Sequence, residues 1–277
     1  IQSNILNNIV SYYPAERNNG IVVHDAVNQR LGRLSNTTFT SGSAVGSYSL
    51  NFDPLNSSYV QIGNRSSLKT KGFTISAWAY PRDVSTYRGI LVQRDINNDG
   101  VWLGCSSGSQ NLSFYVDETN DFGEVIRSGD DGFTLNQWHH VVATYDGEEM
   151  RLYRNGNIVA SKITSISPLD VGKSANIGAN VPKDDEYWDG RIDEIRIYNR
   201  GFTQADVDEL YSLDEPSGKE MTETVVPSQL ENGVSYYNFN NDVSDSWTGY
   251  NGIDNAGSYV RGSYSSAKSF NQSNNDY

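Results

Sequence analysis

Carboxylates are the side chains most able to do chemistry in this chain, and four of them fall within one short stretch. The stretch runs from Trp188 to Val207 and reads "WDGRIDEIRIYNRGFTQADV", with three isoleucines and three arginines among the acids. Such a set could hold an acid/base pair, ligate a metal ion, or mark the polar positions of a strand. The spacing of the acids separates these readings.

Paired acid catalysis on a glycosidic bond needs two carboxyl groups on one face, about 5–5.5 Å apart in the retaining mechanism. On a strand only alternate residues share a face, so the adjacent Asp193 and Glu194 point to opposite faces. Gly190, between Asp189 and Asp193, indicates a turn, and the acids of "DETNDFGE" at 117–124 do not alternate. The sequence therefore predicts a protein that is not an enzyme.

Asp193 alternates with Ile195 and Ile197, which should face a core. A carboxylate on such a face is costly unless a cation or several hydrogen-bond donors meet it. Calcium, which prefers oxygen ligands, and backbone N–H groups both meet that need. On the opposite face Glu194 and Arg196 predict an exposed ion pair worth ~0–1 kcal/mol.

One helix is predicted, in "GFTQADVDELY". Thr203 can cap it, Asp206 follows three residues later, and Phe202 can pack on Val207. Asp206 is thereby assigned to a helix cap.

Exposed aromatic side chains next to polar ones are the usual groups of a sugar-binding site. Trp78, Trp102 and Trp138 lie in strand-like motifs and are expected in the core, whereas "KDDE" before Tyr187 could be only a solvated turn. The predicted ligand-binding residues lie in "STYRG" and "KDDEYWDG": Tyr87, Arg88, Asp185, Tyr187 and Trp188.

The cysteine and the adjacent histidines give little indication of a catalytic or metal site. Cys105 is the one cysteine, which excludes an intrachain disulfide. His139 and His140 are adjacent, so on a strand they cannot both bind one zinc ion. The formal net charge of −13 argues against nucleic acid as a partner. The sequence contains no apolar run of 18 residues, so no membrane span is predicted.

The elements that must position these residues are strands. "GFTISAWAY" alternates apolar and polar positions, and "WHHVVATYDGEEMRLYRNGNIVAS" contains three strands with turns at Asp146-Gly147 and Asn155-Gly156. Many short strands with almost no helix predict an all-β sandwich or barrel.

Anchors from the start of the chain recur near its end. We predict a complete module over 1–213, a linker over 214–233, and the opening of a second repeat over 234–277. The matched anchors are "SYY" at 11–13 and 235–237, Asp25 to Gly32 with Asp245 to Gly252, and Phe52 to Tyr59 with Phe270 to Tyr277. A partial sandwich leaves open strand edges, so this segment is a candidate for self-assembly by strand addition.

The order of these motifs, ending in "WDGRIDEIRIYNRGFTQADVDELY", resembles the laminin G-like, pentraxin-like module of the concanavalin A-like lectin/glucanase superfamily. The resemblance implies a jelly-roll sandwich of two antiparallel sheets with one short C-terminal helix. It also implies that Asp25 and Asp193 help to hold a structural calcium ion. The alternative is that Asp193 accepts backbone hydrogen bonds from the loop that carries Asp25.

The resemblance further implies a secreted protein or one displayed on a cell or virion surface. We predict a non-catalytic binding module for adhesion or glycan recognition, whose partner is a surface glycan or a neighbouring protein subunit. The alternatives are a structural subunit of a surface filament or virion spike, and an accessory module of a glycoside hydrolase.

Overall fold

The computed structural model describes residues 4–6, 8–16, 20–108, 110–119, 122–168, 170–181 and 186–214, and the backbone of 258–260 and 267–269. The chain divides into two units, residues 1–216 and 217–277. Almost all of the predicted linker and most of the predicted second repeat lie outside the described residues. Asp214 is described, and it is the last residue of the helix rather than the first of a linker.

The described residues are built almost wholly from strands. They form β1 (Ile9–Tyr13), β2 (Val22–His24), β3 (Leu31–Ser35), β4 (Thr38–Ser41), β5 (Tyr48–Phe52), β6 (Tyr59–Gly63), β7 (Phe73–Asp83), β8 (Arg88–Arg94), β9 (Gly100–Cys105), β10 (Leu112–Thr119), β11 (Phe122–Arg127), β12 (His139–Tyr145), β13 (Glu149–Arg154), β14 (Asn157–Ile163), β15 (Ala175–Ile177), β16 (Asp189–Tyr198), β17 (Ser258–Val260) and β18 (Ala267–Ser269). The α-helix α1 spans Gln204–Asp214, and 3₁₀ turns span Asn4–Leu6, Pro54–Asn56 and Ser66–Lys69.

Two eight-stranded antiparallel sheets form the first unit. The first sheet has the order β14-β13-β12-β7-β16-β5-β4, and β1 also pairs with β16. The second sheet has the order β11-β10-β9-β8-β15-β6-β3-β2. In the second unit, β17 pairs with β18. The predicted all-β class, with two antiparallel sheets and a short helix after the last strand of the first unit, is confirmed.

Alternating side chains fill the space between the two sheets. Phe73, Ile75, Ala77 and Ala79 of β7 lie in this core, as their alternation predicts. The hairpin turn between β13 and β14 has positive φ angles at Asn155 (50°) and Gly156 (80°), the combination that its Asn-Gly sequence favours.

Helix α1 covers part of the outer face of the first sheet. Trp78 of β7 points to this face, where it stacks on Tyr211 with ring centroids 5.9 Å apart and lies beside His140. Trp78 is therefore buried, but under the helix and not between the sheets. Burial lowers the pKa of His140 to about 4, so this ring is neutral packing material near pH 7.

The predicted cap of α1 is confirmed. The Asp206 carboxylate accepts hydrogen bonds from the backbone N and the hydroxyl of Thr203, both at 2.7 Å, and Arg200 binds the same carboxylate. Phe202 and Val207 share one apolar cluster, as expected. Among the residues that the structure describes, no helix is long and apolar enough to cross a membrane.

Strand β16 contains a β-bulge that its sequence pattern does not predict. Asp193 pairs with Trp78 and Arg196 with Ser76, so one extra residue lies on β16, and Glu194 takes a φ of 51°. Paired residues share a face, so Asp193 lies on the outer face with Trp78. Ile195 lies in the core between the sheets, and the prediction that Asp193 shares its face is therefore wrong.

The bulge also buries the pair that was expected at the surface. Arg196 binds both Glu194 and Asp214, and the Tyr12 hydroxyl donates to Glu194 Oε2 at 2.7 Å. Both members of the predicted surface pair are less than a tenth exposed. Because Asp214 ends α1, this ionic cluster fastens the helix to β16, and removing one partner of such a cluster costs about 3–5 kcal/mol.

Candidate functional site

The outer face of the second sheet carries a continuous row of side chains, one from each of seven neighbouring strands. Directly paired residues on neighbouring strands point to the same face. Leu103 and Phe114, whose side chains alternate with members of this row, lie in the core, which places the row itself on the outer face. The row consists of Arg33, Gln61, Asn176, Val92, Trp102, Tyr115 and Val125.

Three rings meet at one end of this row and form what we call the aromatic cluster, Tyr87, Trp102 and Tyr115. Trp102 contacts Tyr87 and Tyr115 edge to face, with centroids 6.2 and 5.2 Å apart. Trp102 is 1% exposed, Tyr87 is 42% exposed and Tyr115 is half-buried. Trp102 is therefore the buried member of the aromatic cluster, and the two tyrosines are its solvent-accessible members.

Polar groups hold the rings of the aromatic cluster in place. The Trp102 indole N–H donates to Glu186 Oε2 at 2.7 Å, and Arg127 donates to the Tyr115 hydroxyl at 2.6 Å. The guanidinium groups of Arg94 and Arg127 lie 4.9 and 5.3 Å from the Tyr115 ring centroid. Nearby Tyr115 and partial burial raise the pKa of Tyr87, so its hydroxyl stays protonated near pH 7. Rigid rings bordered by donors and acceptors suit a ligand with both flat apolar faces and hydroxyl groups.

The predicted ligand-binding residues lie in different surroundings in the structure. Tyr87 belongs to the aromatic cluster. Arg88 binds Asp83 and donates to the Tyr187 carbonyl at 2.8 Å, so it fixes the loops around the cluster. Asp185 lies outside the described residues.

Tyr187 and Trp188 are buried, contrary to the prediction of an exposed pair. Trp188 is fully buried in the core, 5.7 Å from the Phe133 ring, and its backbone N donates to Gly178 O at 2.7 Å. Tyr187 is only 6% exposed. Strand β16 begins at Asp189. Trp188, the residue directly before it, therefore lies where the chain enters the sandwich, and its side chain packs into the core. The polar "KDDE" that precedes the pair hides this in the sequence.

Tyr115, Arg127 and Glu186 were not among the predicted site residues, and Trp102 was expected in the core. A signal for the two rings exists in "GVWLG" and "LSFYVD", where Trp102 and Tyr115 alternate with apolar neighbours and so face away from the core. Only the pairing of Trp102 with Tyr115 across β9 and β10 brings the two rings together.

Asp25 fits a calcium ion on one observation. Its Oδ1 accepts hydrogen bonds from the backbone N of Tyr12 (3.0 Å), Val27 (3.0 Å) and Asn28 (3.3 Å). Its Oδ2 is buried and has no hydrogen-bond partner in the described part of the chain. An oxygen left without a donor is the kind of atom that a hard cation can satisfy.

Asp193 is already satisfied by backbone donors. Its Oδ2 accepts from the N of Ala44 at 3.0 Å and of Val45 at 3.3 Å, and its Oδ1 accepts from the N of Glu194 at 2.9 Å. Ala44 and Val45 lie in the loop between β4 and β5, not in the loop that carries Asp25, and Glu194 is the next residue of β16. The described residues contain no group of three or more acidic, histidine or cysteine side chains that could hold a metal ion. The fit to calcium therefore rests on Asp25.

Comparison with known proteins identifies relatives of the first unit. A family model described as the concanavalin A-like lectin/glucanases superfamily matches residues 55–208. An alpha-L-arabinofuranosidase of Bifidobacterium longum subsp. longum is 28% identical over 131 residues, which are 42% of this chain and 12% of the relative. This chain thus matches only a small part of that enzyme's length.

Three solved structures share the fold. The binding domain of Paraclostridial Mosquitocidal Protein 1 is 19% identical with a TM-score of 0.61, over 75% of this chain and 52% of that one. Domain 4 of AbnA, a GH43 extracellular arabinanase from Geobacillus stearothermophilus solved with arabinotriose, is 17% identical with a TM-score of 0.60, over 74% of this chain and 98% of the domain. The binding domain of botulinum neurotoxin DC, solved with SialylT, is 14% identical with a TM-score of 0.59. The match covers 76% of this chain and 53% of that one.

Proposed function

The chain belongs to the laminin G-like group of the concanavalin A-like lectin/glucanases superfamily, and from that premise we propose that it is a non-catalytic carbohydrate-binding module. The observation that carries the proposal is the aromatic cluster on the outer face of the second sheet. Relatives support it, because domain 4 of the arabinanase was solved with arabinotriose and the neurotoxin binding domain with SialylT.

A sugar ring stacks on the exposed faces of Tyr87 and Tyr115, and Trp102 supports both tyrosines from below. Arg127 and Glu186 border these rings and bind sugar hydroxyl groups as donor and acceptor. Because the rings are already held by hydrogen bonds and ring contacts, little side-chain freedom is lost on binding.

Two features support a binding role without catalysis. The carboxylates beside the cluster, Glu186 and Asp117, already hold the Trp102 indole and Arg94. A glycosidase instead needs two carboxyl groups facing one bond. The chain also covers nearly all of domain 4 of the arabinanase but only 12% of the arabinofuranosidase, which supports a module carried by a larger secreted glycoside hydrolase.

The proposal is tested by measuring binding of the protein to a panel of soluble polysaccharides, arabinan included, by affinity electrophoresis and calorimetry. Tyr115→Ala should lower the affinity at least about tenfold, a loss of ~1.4 kcal/mol, because it removes a stacking face. Tyr48→Ala, which removes a half-buried tyrosine of the first sheet, is the matched control. Absence of binding to every polysaccharide, or equal losses in both variants, would overturn the proposal.

A further inference from the structure

The same outer face continues away from the aromatic cluster into a groove lined by basic residues. Two cavities of about 270 and 390 Å³ adjoin there and share Gln61. The first is lined by Arg30 and Arg33, and the second by Lys173 and Asn176. We call these five residues the basic groove.

The cations of the basic groove stand out because the chain as a whole carries a net charge of −13. Arg30, Arg33 and Lys173 are exposed and hold no carboxylate in the part of the chain that the structure describes. Most other arginines there do, among them Arg82 with Asp189. Unpaired cations gathered on one face create a local positive potential that attracts anions.

Strand pairing brings these cations around one strand. Arg33 of β3 pairs with Gln61 of β6, and Gln61 pairs on its other side with Asn176 of β15. Arg30 directly precedes β3 and Lys173 lies two residues before β15, so both flank the end of β6. The groove is therefore a product of the sheet order and not of a run of basic residues in the sequence.

Asn176 adds a second requirement on the ligand. It is 4% exposed, its Nδ2 donates to the Ser174 carbonyl at 3.3 Å, and its Oδ1 has no hydrogen-bond donor among the described residues. A buried acceptor without a donor costs about 1–3 kcal/mol, and a hydroxyl group entering the groove can supply that donor. The ligand that fits has anionic groups and hydroxyl groups on one molecule.

We infer that the basic groove binds the acidic groups of a polysaccharide, either uronic-acid carboxylates or sulfate esters. This rests on the proposed function and assigns the chemical class of its ligand. Arg33 and Tyr115 lie in the same row, five strands apart in the sheet order, which is ~24 Å at ~4.8 Å per strand. A sugar chain at least that long can place its acidic groups at the groove and one ring on the aromatic cluster, passing outside the atoms that bury Val92 and Trp102 between them.

The first test compares matched ligands that differ only in charge. Calorimetry would be run with polygalacturonate against its methyl ester, and with dextran sulfate against dextran. We expect at least about tenfold tighter binding of one or both acidic forms, with a preference that shrinks as salt is raised. The pair that shows the preference identifies carboxylate or sulfate as the group bound.

The second test locates the preference. Arg33→Gln and Lys173→Gln should each lower the ratio of acidic to neutral affinity several-fold, because each removes a charge-assisted contact. Lys71→Gln makes the same change in net charge at an exposed lysine outside the groove and should leave the ratio unchanged. An equal effect of Lys71→Gln would overturn the inference, because it would show a dependence on net charge alone.

Two further outcomes separate this inference from the proposed function. Equal binding of acidic and neutral forms, still weakened by Tyr115→Ala, would overturn the basic groove and leave the carbohydrate-binding module standing. Binding of double-stranded DNA as tight as that of polygalacturonate would also overturn the inference, because the site would then recognise any polyanion.

Discussion

At the scale of the residue, hydrogen-bond partners decide what each acid of this chain can do. The alternation of Asp193 with two isoleucines makes it a candidate metal ligand in the sequence. In the structure, both of its carboxylate oxygens accept hydrogen bonds from backbone N–H groups. Asp25 keeps one buried oxygen with no partner among the described residues. The structural calcium ion therefore stays a prediction, now centred on Asp25.

Calcium should raise the melting temperature of the protein relative to EDTA, because a ligand that binds only the folded state stabilises it. Asp25→Asn should remove most of this rise, since it removes the charge of the proposed ligand. The measurement is differential scanning calorimetry in calcium, in magnesium at equal ionic strength, and in EDTA. Identical melting in calcium and EDTA would rule out the ion.

Trp188 offers a second test at this scale, because its burial excludes it from the proposed sugar-binding site. Trp188→Phe should lower the free energy of unfolding by about 1–3 kcal/mol, as expected when a large buried side chain is cut down in the core. Its affinity for polysaccharide should match that of the unchanged protein. Urea denaturation and calorimetry report the two quantities, and a loss of affinity in folded protein would contradict the assignment.

At the scale of the element, helix α1 is attached at both ends. Its start is held by the Asp206 cap with Arg200, and its end by Asp214 on Arg196. Between them, Val207 and Leu210 cover apolar side chains of the first sheet. The helix thereby closes part of that sheet's outer face.

The cap makes a pH-dependent contribution to stability. Hydrogen bonding to Arg200 lowers the pKa of Asp206 to about 2, from an ordinary value of 3.8. A lowered pKa stabilises the folded state above the unfolded value, and this contribution is lost as pH falls from about 3.8 through about 2. Asp206→Asn should cost about 1 kcal/mol at pH 7 and progressively less below pH 4.

Urea denaturation at pH 7 and pH 2.5 measures this cost. Asp208→Asn is the matched control, because it removes the same charge from an exposed position of the same helix. An Asp206→Asn cost that stays constant from pH 7 to pH 2.5 would contradict the assigned role.

At the scale of the whole molecule, the outer faces of the two sheets differ. Helix α1 and the loop between β4 and β5 cover parts of the first sheet, while the outer face of the second sheet carries the aromatic cluster and the basic groove. The second unit, residues 217–277, is described only through β17 and β18. Self-assembly through that unit therefore stays a proposal, based on its sequence likeness to the start of the chain.

Ending the chain at residue 216 should leave polysaccharide affinity unchanged, because every residue of the aromatic cluster and the basic groove lies in the first unit. If the second unit adds strands to a neighbouring copy, the shortened chain should also sediment as a smaller species. Sedimentation velocity and calorimetry on both chains measure the two effects. If both chains sediment as particles with the same number of copies, this route of assembly is ruled out.

The sequence by itself determined the parts of this protein that repeat locally. The alternation in β7, the Asn155-Gly156 turn and the Thr203 cap depend only on neighbouring residues, and the structure confirms each. The ordered motifs were also enough to predict the family and the sandwich.

The tertiary structure alone decided where the candidate site lies. The bulge at Glu194 shifted the faces of β16, because an extra residue changes the phase of a strand without changing its composition. Trp188 was buried by the point at which β16 enters the sandwich. Strand order and register place Trp102 beside Tyr115. They also place Arg33 and Asn176 on either side of Gln61, on strands that are far apart in the chain. Register depends on contacts that no local pattern encodes, so the face proposed to bind ligand emerged only when the sheets were assembled.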